Sequence, residues 1–414
     1  MKIIPVLSIL LLITLLSTSC ATFEVGIEAT QTINQSTIET TVAKLAQATL
    51  QAGANQPTAT HEISSKPTIT PTQPIESSHT SPYSGLIFRQ GDQLYQIAPD
   101  GASLSIDIGL DPQLLPGQFT PRAAISPDGR QLISWWDWSD LWLVDLESGD
   151  ARNITNTTDS QECCAQFWAG RPGIIVFLTR PSDAEGLSYK MAAVKLDGSD
   201  YHLIDESADL FSLPALSPDG SMIAYDSSGK PWIYRWDAGP EAFNPVDYGL
   251  ESSTDSYGLS SPAWSPTGKY LAWMVSGDPF GNGKATAGVV LFDLEGKTYR
   301  LLHPHEPAGT EAGFSPAIWS PDGNWLAVHD YSLEHQGIWV MHLDGSGELL
   351  AYSPGSVRSV LGVQVLWSPD SRLLLVIDPN AEGNIRNTFL NVLNNQVETS
   401  PLPEGALPIA WLHP

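Results

Sequence analysis

The sequence predicts an all-β protein whose four-stranded sheets form a closed seven-bladed β-propeller, with a six-bladed ring as the alternative. Two observations carry this prediction. A Ser-Pro-Asp-Gly turn recurs along the chain, preceded by an apolar or Trp residue and followed by two short apolar strands. Incomplete repeats at the two ends of the chain also complement each other.

The recurring turn sets the period of the fold. Exact copies stand at 126–129, 217–220 and 320–323, near-copies at 265–268 and 368–371, and a degenerate copy at 169–173. The residues before the turns follow one another at intervals of about 43 to 55 residues, the period of propeller blades; they are Ile125, Trp168, Leu216, Trp264, Trp319, Trp367 and Trp411.

The repeated Asp and Trp residues are interpreted as structural. In such a turn Pro fixes one dihedral angle, Asp accepts hydrogen bonds from the backbone and Gly adopts a positive φ. A hairpin must recur in every blade, whereas a catalytic or calcium-binding residue need not. We therefore expect turn roles for Asp128, Asp219, Asp322 and Asp370, and blade packing for the repeated Trp residues.

The two chain ends predict how the ring closes. Residues 85–88 and 94–101 match the second and third strands of a blade that lacks its first strand. Residues 409–411 match a first strand that lacks its successors. Joined, they complete the seventh blade and leave no edge strand open to another chain.

The pattern W-S-P-D-G-x-x-L-A, present at 319–327, resembles the WD40-like (PD40) repeats of TolB-type propellers over roughly residues 83–414. The resemblance implies the fold but not a function, because such repeats serve partner-binding proteins, peptidase gating domains and some enzymes. TolB itself has six blades, an additional α/β domain and no lipid anchor. Its role in outer-membrane constriction is therefore not transferred to this chain.

The first residues predict export. Residues 1–19 combine a basic start, an apolar run and small residues, as in a signal peptide, and Cys20 follows as in a bacterial lipobox. Leu16 stands one place earlier than the lipobox Leu, so cleavage of an ordinary secretory signal is the alternative. We expect Cys20 to anchor the protein to the outer face of the cytoplasmic membrane, or to the outer membrane or cell surface.

Residues 20–82, rich in Thr, Ser, Pro and Gln, are predicted to be a disordered tether. The propeller is predicted to follow at 83–414. With 46 acidic and 20 basic residues, the chain has a net charge of −26, which excludes nucleic acid as an expected partner. The expected partner is a protein or cell-wall component that is basic or cationic, and the only expected membrane contact is the lipid anchor.

The variable connections between blades are the predicted binding surface. First-to-second and third-to-fourth strand turns are short and alike, so they form a plain face; the other connections differ in length and form a variable face. The acidic residues expected on it are Asp159, Glu162, Asp183, Glu185, Asp255, Asp278, Glu306, Glu311, Asp330, Glu334 and Glu382. The candidate binding residues are Trp136, Trp138, Asp140, Asp278, His305, Glu306, Asp330 and His335.

The sequence gives no catalytic signature. HExxH, GxSxG and zinc-type cysteine spacings are missing from it. His303, His305, His329 and His335 are predicted to lie mostly in connections. We expect no catalytic residues, no metal ligands and no cofactor, with a cation such as calcium at a structural or ligand site as the alternative. The adjacent Cys163 and Cys164 are either free or joined in a vicinal disulfide.

The leading functional hypothesis is therefore a tethered, non-enzymatic binding module outside the cytoplasmic membrane. The first alternative is a propeller enzyme, a polysaccharide lyase or hydrolase with a cation-assisted site at the channel mouth. The second is a gating or accessory subunit of a separate transporter or peptidase.

Overall fold

The computed structural model describes residues 80–107, 123–135, 140–184, 188–210, 212–250, 258–278, 284–306, 315–332, 334–345, 347–353, 363–379 and 384–412. Within these ranges the chain forms seven antiparallel four-stranded sheets. The predicted seven-bladed propeller is therefore confirmed, and the six-bladed alternative is wrong.

Blades 1 to 3 follow one another along the chain. Blade 1 has β4 (Ala123–Ile125), β5 (Gln131–Trp135), β6 (Leu141–Asp145) and β7 (Ala151–Asn153), with strands numbered from the N-terminus. Blade 2 has β8 (Ser160–Phe167), β9 (Ile174–Pro181), β10 (Tyr189–Lys195) and β11 (His202–Leu210). Blade 3 has β12 (Ala215–Leu216), β13 (Met222–Ser227), β14 (Lys230–Arg235) and β15 (Gly239–Ala242).

Blades 4 to 6 continue the same order. Blade 4 has β16 (Leu259–Trp264), β17 (Tyr270–Gly277), β18 (Thr286–Asp293) and β19 (Thr298–His305). Blade 5 has β20 (Ile318–Trp319), β21 (Trp325–Asp330), β22 (Gly337–His342) and β23 (Glu348–Tyr352). Blade 6 has β24 (Gln364–Trp367), β25 (Leu373–Pro379), β26 (Ile385–Asn391) and β27 (Gln396–Glu398).

Blade 7 joins the two ends of the propeller. It has β28 (Leu407–Trp411) as its first strand, followed by β1 (Leu86–Gln90), β2 (Gln93–Ile97) and β3 (Ser103–Ile106). Leu86 pairs with Trp411 and Arg89 with Leu407 in the antiparallel register of β1 and β28. This pairing is the closure that the incomplete terminal repeats predict.

One 3-10 helix, Pro245–Tyr248, lies after blade 3 in the described part of the chain, with Asn244 as its N-cap. The described ranges include no helix that is both long and apolar enough to traverse a lipid bilayer.

The hydrophobic core is divided among the blade interfaces. Strand residues alternate between the two faces of each sheet, and in this ring both faces of a blade meet a neighbour. One buried cluster, for example, unites Ile133 and Leu143 of blade 1 with Ile175 and Phe177 of blade 2. Another unites Ile87 of blade 7 with Leu132 of blade 1, so the core is continuous through the closure.

The repeated Trp residues join neighbouring blades through hydrogen bonds as well as packing. Trp264 Nε1 donates to the carbonyl oxygen of Ala215 at 3.1 Å, and Trp319 Nε1 to that of Ala263 at 3.2 Å. In both cases the acceptor lies on or beside the first strand of the preceding blade. The structure thus places these residues in the structural role that the repeat predicts.

The Ser-Pro-Asp-Gly turns are internally hydrogen-bonded. Ser217 Oγ donates to Asp219 Oδ1 at 2.6 Å and accepts from the backbone N–H of Met222 at 2.9 Å. Ser320 and Asp322 form the same pair at 2.5 Å. Since the carboxylates are used within their turns, this face of the propeller is a repeated structural surface.

Candidate functional site

The candidate site is a group of polar side chains on the variable face between blades 4 and 5. First strands of neighbouring blades contact one another, so they surround the central axis, and fourth strands lie at the outer edge. His303 and His305 stand at the end of β19, the fourth strand of blade 4. Asp330 ends β21 of blade 5, and His335 lies in the following connection.

The structure brings together three of the eight candidate binding residues, His305, Asp330 and His335, and adds His303. Glu306 follows directly and is exposed. The site therefore lies toward the outer edge between two blades, away from the first strands that surround the axis.

The expectation that these histidines lie mostly in connections is wrong for three of the four. His303 and His305 belong to β19 and His329 to β21, whereas His335 lies in a connection. Alternation of apolar residues predicts a shorter β19, because the end of this strand consists of His303, Pro304 and His305.

His303 is held between two carboxylates. Its Nε2 lies 3.0 Å from Asp330 Oδ2, and its Nδ1 contacts the carboxylate of Glu348. Trp339 packs beside the imidazole, with ring centroids 4.5 Å apart. His303 is 6 % exposed and Asp330 is fully buried, so the Asp330 charge is balanced within the protein.

His305 faces the same carboxylate. Its Nε2 lies 3.4 Å from Asp330 Oδ2 and 3.1 Å from Ser332 Oγ. Its Nδ1 lies 3.3 Å from the backbone carbonyl oxygen of His303. The His335 ring packs against His305 with centroids 4.2 Å apart. One ring nitrogen from each of the three histidines lies within 4.8 Å of the others.

A β-bulge shapes this end of β19. The register between β18 and β19 shifts between Ala287 and Val289, and His303 adopts φ 48°. Such a φ is uncommon for a residue other than Gly and is concentrated at functional positions. A Cβ on Gly288 would lie 2.9 Å from the carbonyl oxygens of Leu302 and His303, so the bulge requires Gly at that position.

The pKa values of the two strand histidines shift in opposite directions. Burial lowers the pKa of His303, but hydrogen bonds to Asp330 and Glu348 and their negative charges outweigh it, so the net pKa is raised. Burial lowers the pKa of His305, and this effect exceeds the rise caused by the negative charge of Asp330. The pair therefore has one imidazole that favours the protonated form and one that favours the neutral form.

His329 lies apart from this group. It is 3 % exposed, and within the described residues neither ring nitrogen has a hydrogen-bond partner. Burial lowers the pKa of His329 to about 4. It is a neutral core residue at physiological pH.

Two predicted surface acids are buried instead, which corrects the interpretation of Glu162 and Asp330 as surface charge. Glu162 is fully buried in β8, where Ser160 Oγ donates to it at 2.7 Å and Thr157 Oγ1 at 3.0 Å. Asp330 is fully buried against His303. Both side chains turn inward because hydroxyl or imidazole groups there satisfy the carboxylate.

Asp140 also has a structural role. Its carboxylate accepts from Asn153 Nδ2 at 2.6 Å and from the backbone N–H of Thr157 at 2.8 Å. These bonds hold the connection between blades 1 and 2. Asp278 is half-buried and directly follows β17, the second strand of blade 4.

The other acidic residues predicted for the variable face are either exposed or outside the described residues. Four side chains are exposed on the variable face: Asp159, Asp183, Glu306 and Glu334. The other predicted residues lie outside the described ranges: Cys20, Trp136, Trp138, Glu185, Asp255, Glu311 and Glu382.

Cys163 and Cys164 form a vicinal disulfide, which decides between the two alternatives for these cysteines. Both lie in β8, where the pairing with β9 is irregular between Cys163 and Gln166. Cys164 has φ 62°.

Models of protein families and curated protein sequences give no match to this chain. Solved structures do. An oligogalacturonate lyase in complex with manganese is 15% identical, with a TM-score of 0.50 over 69% of this chain and 79% of the lyase. TolB from Acinetobacter baumannii is 12% identical, with a TM-score of 0.42 over 70% of this chain and 63% of TolB.

A third similar structure is a 6-phosphogluconolactonase candidate from Bacteroides uniformis, 15% identical, with a TM-score of 0.49 over 77% of this chain and 93% of that protein. At these identities the similarity concerns the fold, which proteins of different function share. TolB proteins are among the solved structures that match this chain. The chain is a seven-bladed β-propeller.

Proposed function

We propose that this propeller is a binding module, exported and tethered through a lipid on Cys20, that docks a basic protein or cell-envelope component on its variable face. The observation that carries the proposal is the difference between the two faces of the ring. On one face the turns repeat and satisfy their own polar groups, as in Ser217 with Asp219. The connections of the other face do not repeat, and a rigid scaffold with variable loops is a common basis for binding.

The chemistry of the partner follows from charge. The chain carries a net charge of −26, and Asp159, Asp183, Glu306 and Glu334 are exposed on the variable face. A basic partner would be steered to this surface, and its association would weaken as salt screens the charges.

The experiment is affinity capture from envelope extract with the immobilised full chain, eluted by rising salt. The test variant reverses three variable-face charges, D159K/D183K/E306K. Its matched control reverses three exposed charges on the plain face, E147K/D237K/E295K, and changes the net charge equally. Loss of the salt-eluted partner from the test variant alone supports the proposal. Equal capture by both variants contradicts it.

The lipid anchor has its own test. The Cys20→Ser variant should lose its membrane attachment and appear in the soluble fraction of the envelope compartment. Unchanged membrane retention would refute lipidation at Cys20 and leave the docking proposal intact.

A second candidate function is a propeller enzyme, and the observation that favours it is the cluster of His303, His305 and Asp330. A similar fold occurs in an oligogalacturonate lyase in complex with manganese. The net charge of −26 opposes binding of a polyanionic sugar. The test is incubation with oligogalacturonate, with and without manganese: cleavage that His305→Ala abolishes supports the enzyme, and an intact polymer rejects this substrate.

A further inference from the structure

The histidine cluster between blades 4 and 5 contains more imidazole groups than are needed to form hydrogen bonds with Asp330. Three imidazoles from two blades converge, with one nitrogen of each within 4.8 Å of the others. Two of them would suffice to pair with Asp330. The third, His335, packs its ring against the other two and belongs to a connection of the variable face.

The ring nitrogens of His303 and His305 are arranged in the same way. Each Nδ1 faces an acceptor: the Glu348 carboxylate for His303, and the backbone carbonyl oxygen of His303 for His305. Each Nε2 points to one common atom, Asp330 Oδ2. Histidines that bind a metal through one nitrogen characteristically donate the other N–H to a carboxylate or carbonyl oxygen.

The spacing at the common atom also fits a metal site. Ligands about 2.0 to 2.1 Å from a tetrahedral zinc ion lie roughly 3.3 Å from one another. The distances from Asp330 Oδ2 to the Nε2 atoms of His303 and His305 are 3.0 and 3.4 Å.

The backbone holds this arrangement in place. His303 is in the left-handed region at a β-bulge, opposite Gly288, whose lack of a Cβ admits the Leu302 and His303 carbonyl groups. A regular strand would place successive side chains on opposite faces. The bulge therefore re-aims the end of β19 toward blade 5, as bulges beside functional sites do.

We propose that His303, His305 and His335, together with Asp330, form a binding site for a divalent transition-metal ion of the zinc type. Imidazole ligands select zinc, copper, nickel or iron, whereas calcium and magnesium require oxygen ligands. The bound ion would connect the outer strand of blade 4 to a connection of blade 5 and fix this part of the variable face. Glu348 acts as a positioning residue through the Nδ1–H of His303.

The experiment is calorimetric titration of the chelator-treated full chain in detergent with zinc chloride, and then with calcium chloride. Wild type should bind one zinc ion per chain and no calcium at this site. His335→Ala removes a ligand from a half-buried connection and should weaken zinc binding at least about tenfold. Glu348→Gln keeps every ligand and should weaken it about 10- to 100-fold.

His342→Ala is the matched control. His342 lies in the same blade, 2.6 Å from Asp344, away from the cluster, and its loss should leave zinc affinity within about twofold, as expected for a distant, independent site. At one fixed zinc concentration, the melting temperature of wild type and of H342A should also rise more than that of H335A. Equal zinc affinity in wild type and H335A, or no binding by folded wild type, would overturn the proposal.

Discussion

Trp411 Nε1 donates a hydrogen bond to the backbone carbonyl oxygen of Ser84 at 2.9 Å, across 327 residues of sequence. The Trp411 ring is 5 % exposed and packs in the buried cluster that joins blades 6 and 7. The two ends of the propeller are thus joined by a strand ladder, a buried aromatic ring and a side-chain hydrogen bond.

Replacing Trp411 with Ala should therefore destabilise the whole ring. Truncation of a buried Trp typically costs about 3 to 5 kcal/mol, and here the closure of the ring is lost with it. Denaturant unfolding measures the change. Val397→Ala, in blade 6 and 69 % exposed, is the control and should stay within about 0.5 kcal/mol of wild type. A W411A protein as stable as wild type would contradict the closure.

The repeated Asp residues should affect stability and not binding. Asp219 accepts from Ser217 Oγ at 2.6 Å and from the backbone N–H of Ser221 at 3.0 Å. Asp219→Ala should lower the free energy of unfolding by about 1 kcal/mol, the net contribution of such bonds. Asp237→Ala, whose side chain is 93% exposed on the same face, should change it little. Loss of partner capture by folded D219A would refute the structural role.

Glu162 should make stability depend on pH. Burial raises its pKa, and the negative charge of Asp140 adds to the shift. A carboxyl whose pKa is higher in the folded state favours folding when protonated, so its contribution is greatest below the pKa of the unfolded chain. That contribution declines as pH rises through the folded-state pKa.

Glu162→Gln lacks this titration and should gain stability relative to wild type as pH rises from about 4 to about 7. Denaturant unfolding of both proteins at several pH values measures the difference. A stability difference that is constant over this range would contradict the raised pKa.

The vicinal disulfide can be tested by thiol counting. In the Cys20→Ser variant the remaining cysteines are Cys163 and Cys164, which are bonded to each other. The unfolded, non-reduced variant should therefore show no thiol, and reduction should release both. Free thiols before reduction would mean that the bond is not formed in the isolated protein.

The fold was predictable because its signals are local and repeated. Each turn carries its own Ser-Pro-Asp-Gly chemistry, and each Trp before a turn recurs at blade spacing, so one degenerate copy at 169–173 does not hide the period. The start of β10 at Tyr189 is harder to predict. Polar residues at that end conceal the strand.

The histidine cluster was only partly predictable, because its contacts join different blades. His303 and Asp330 are 27 residues apart, and their contact depends on a bulge and on a positive φ at a residue other than Gly. Periodicity cannot show such a change of side-chain direction. The signal in the sequence for this cluster was the two-residue spacing of His303 and His305, with Asp330 in the next repeat. This signal is weak, because the spacing matches no known metal-binding motif and does not lie on a predicted helix.

The most direct test of the docking proposal is photo-crosslinking in cells that export the full chain. A photoreactive amino acid replaces Asp183 on the variable face in one strain and Asp237 on the plain face in another; both side chains are exposed. Docking on the variable face predicts a discrete crosslinked partner from position 183 and none from position 237. The same partner crosslinked from position 237 alone would contradict the account.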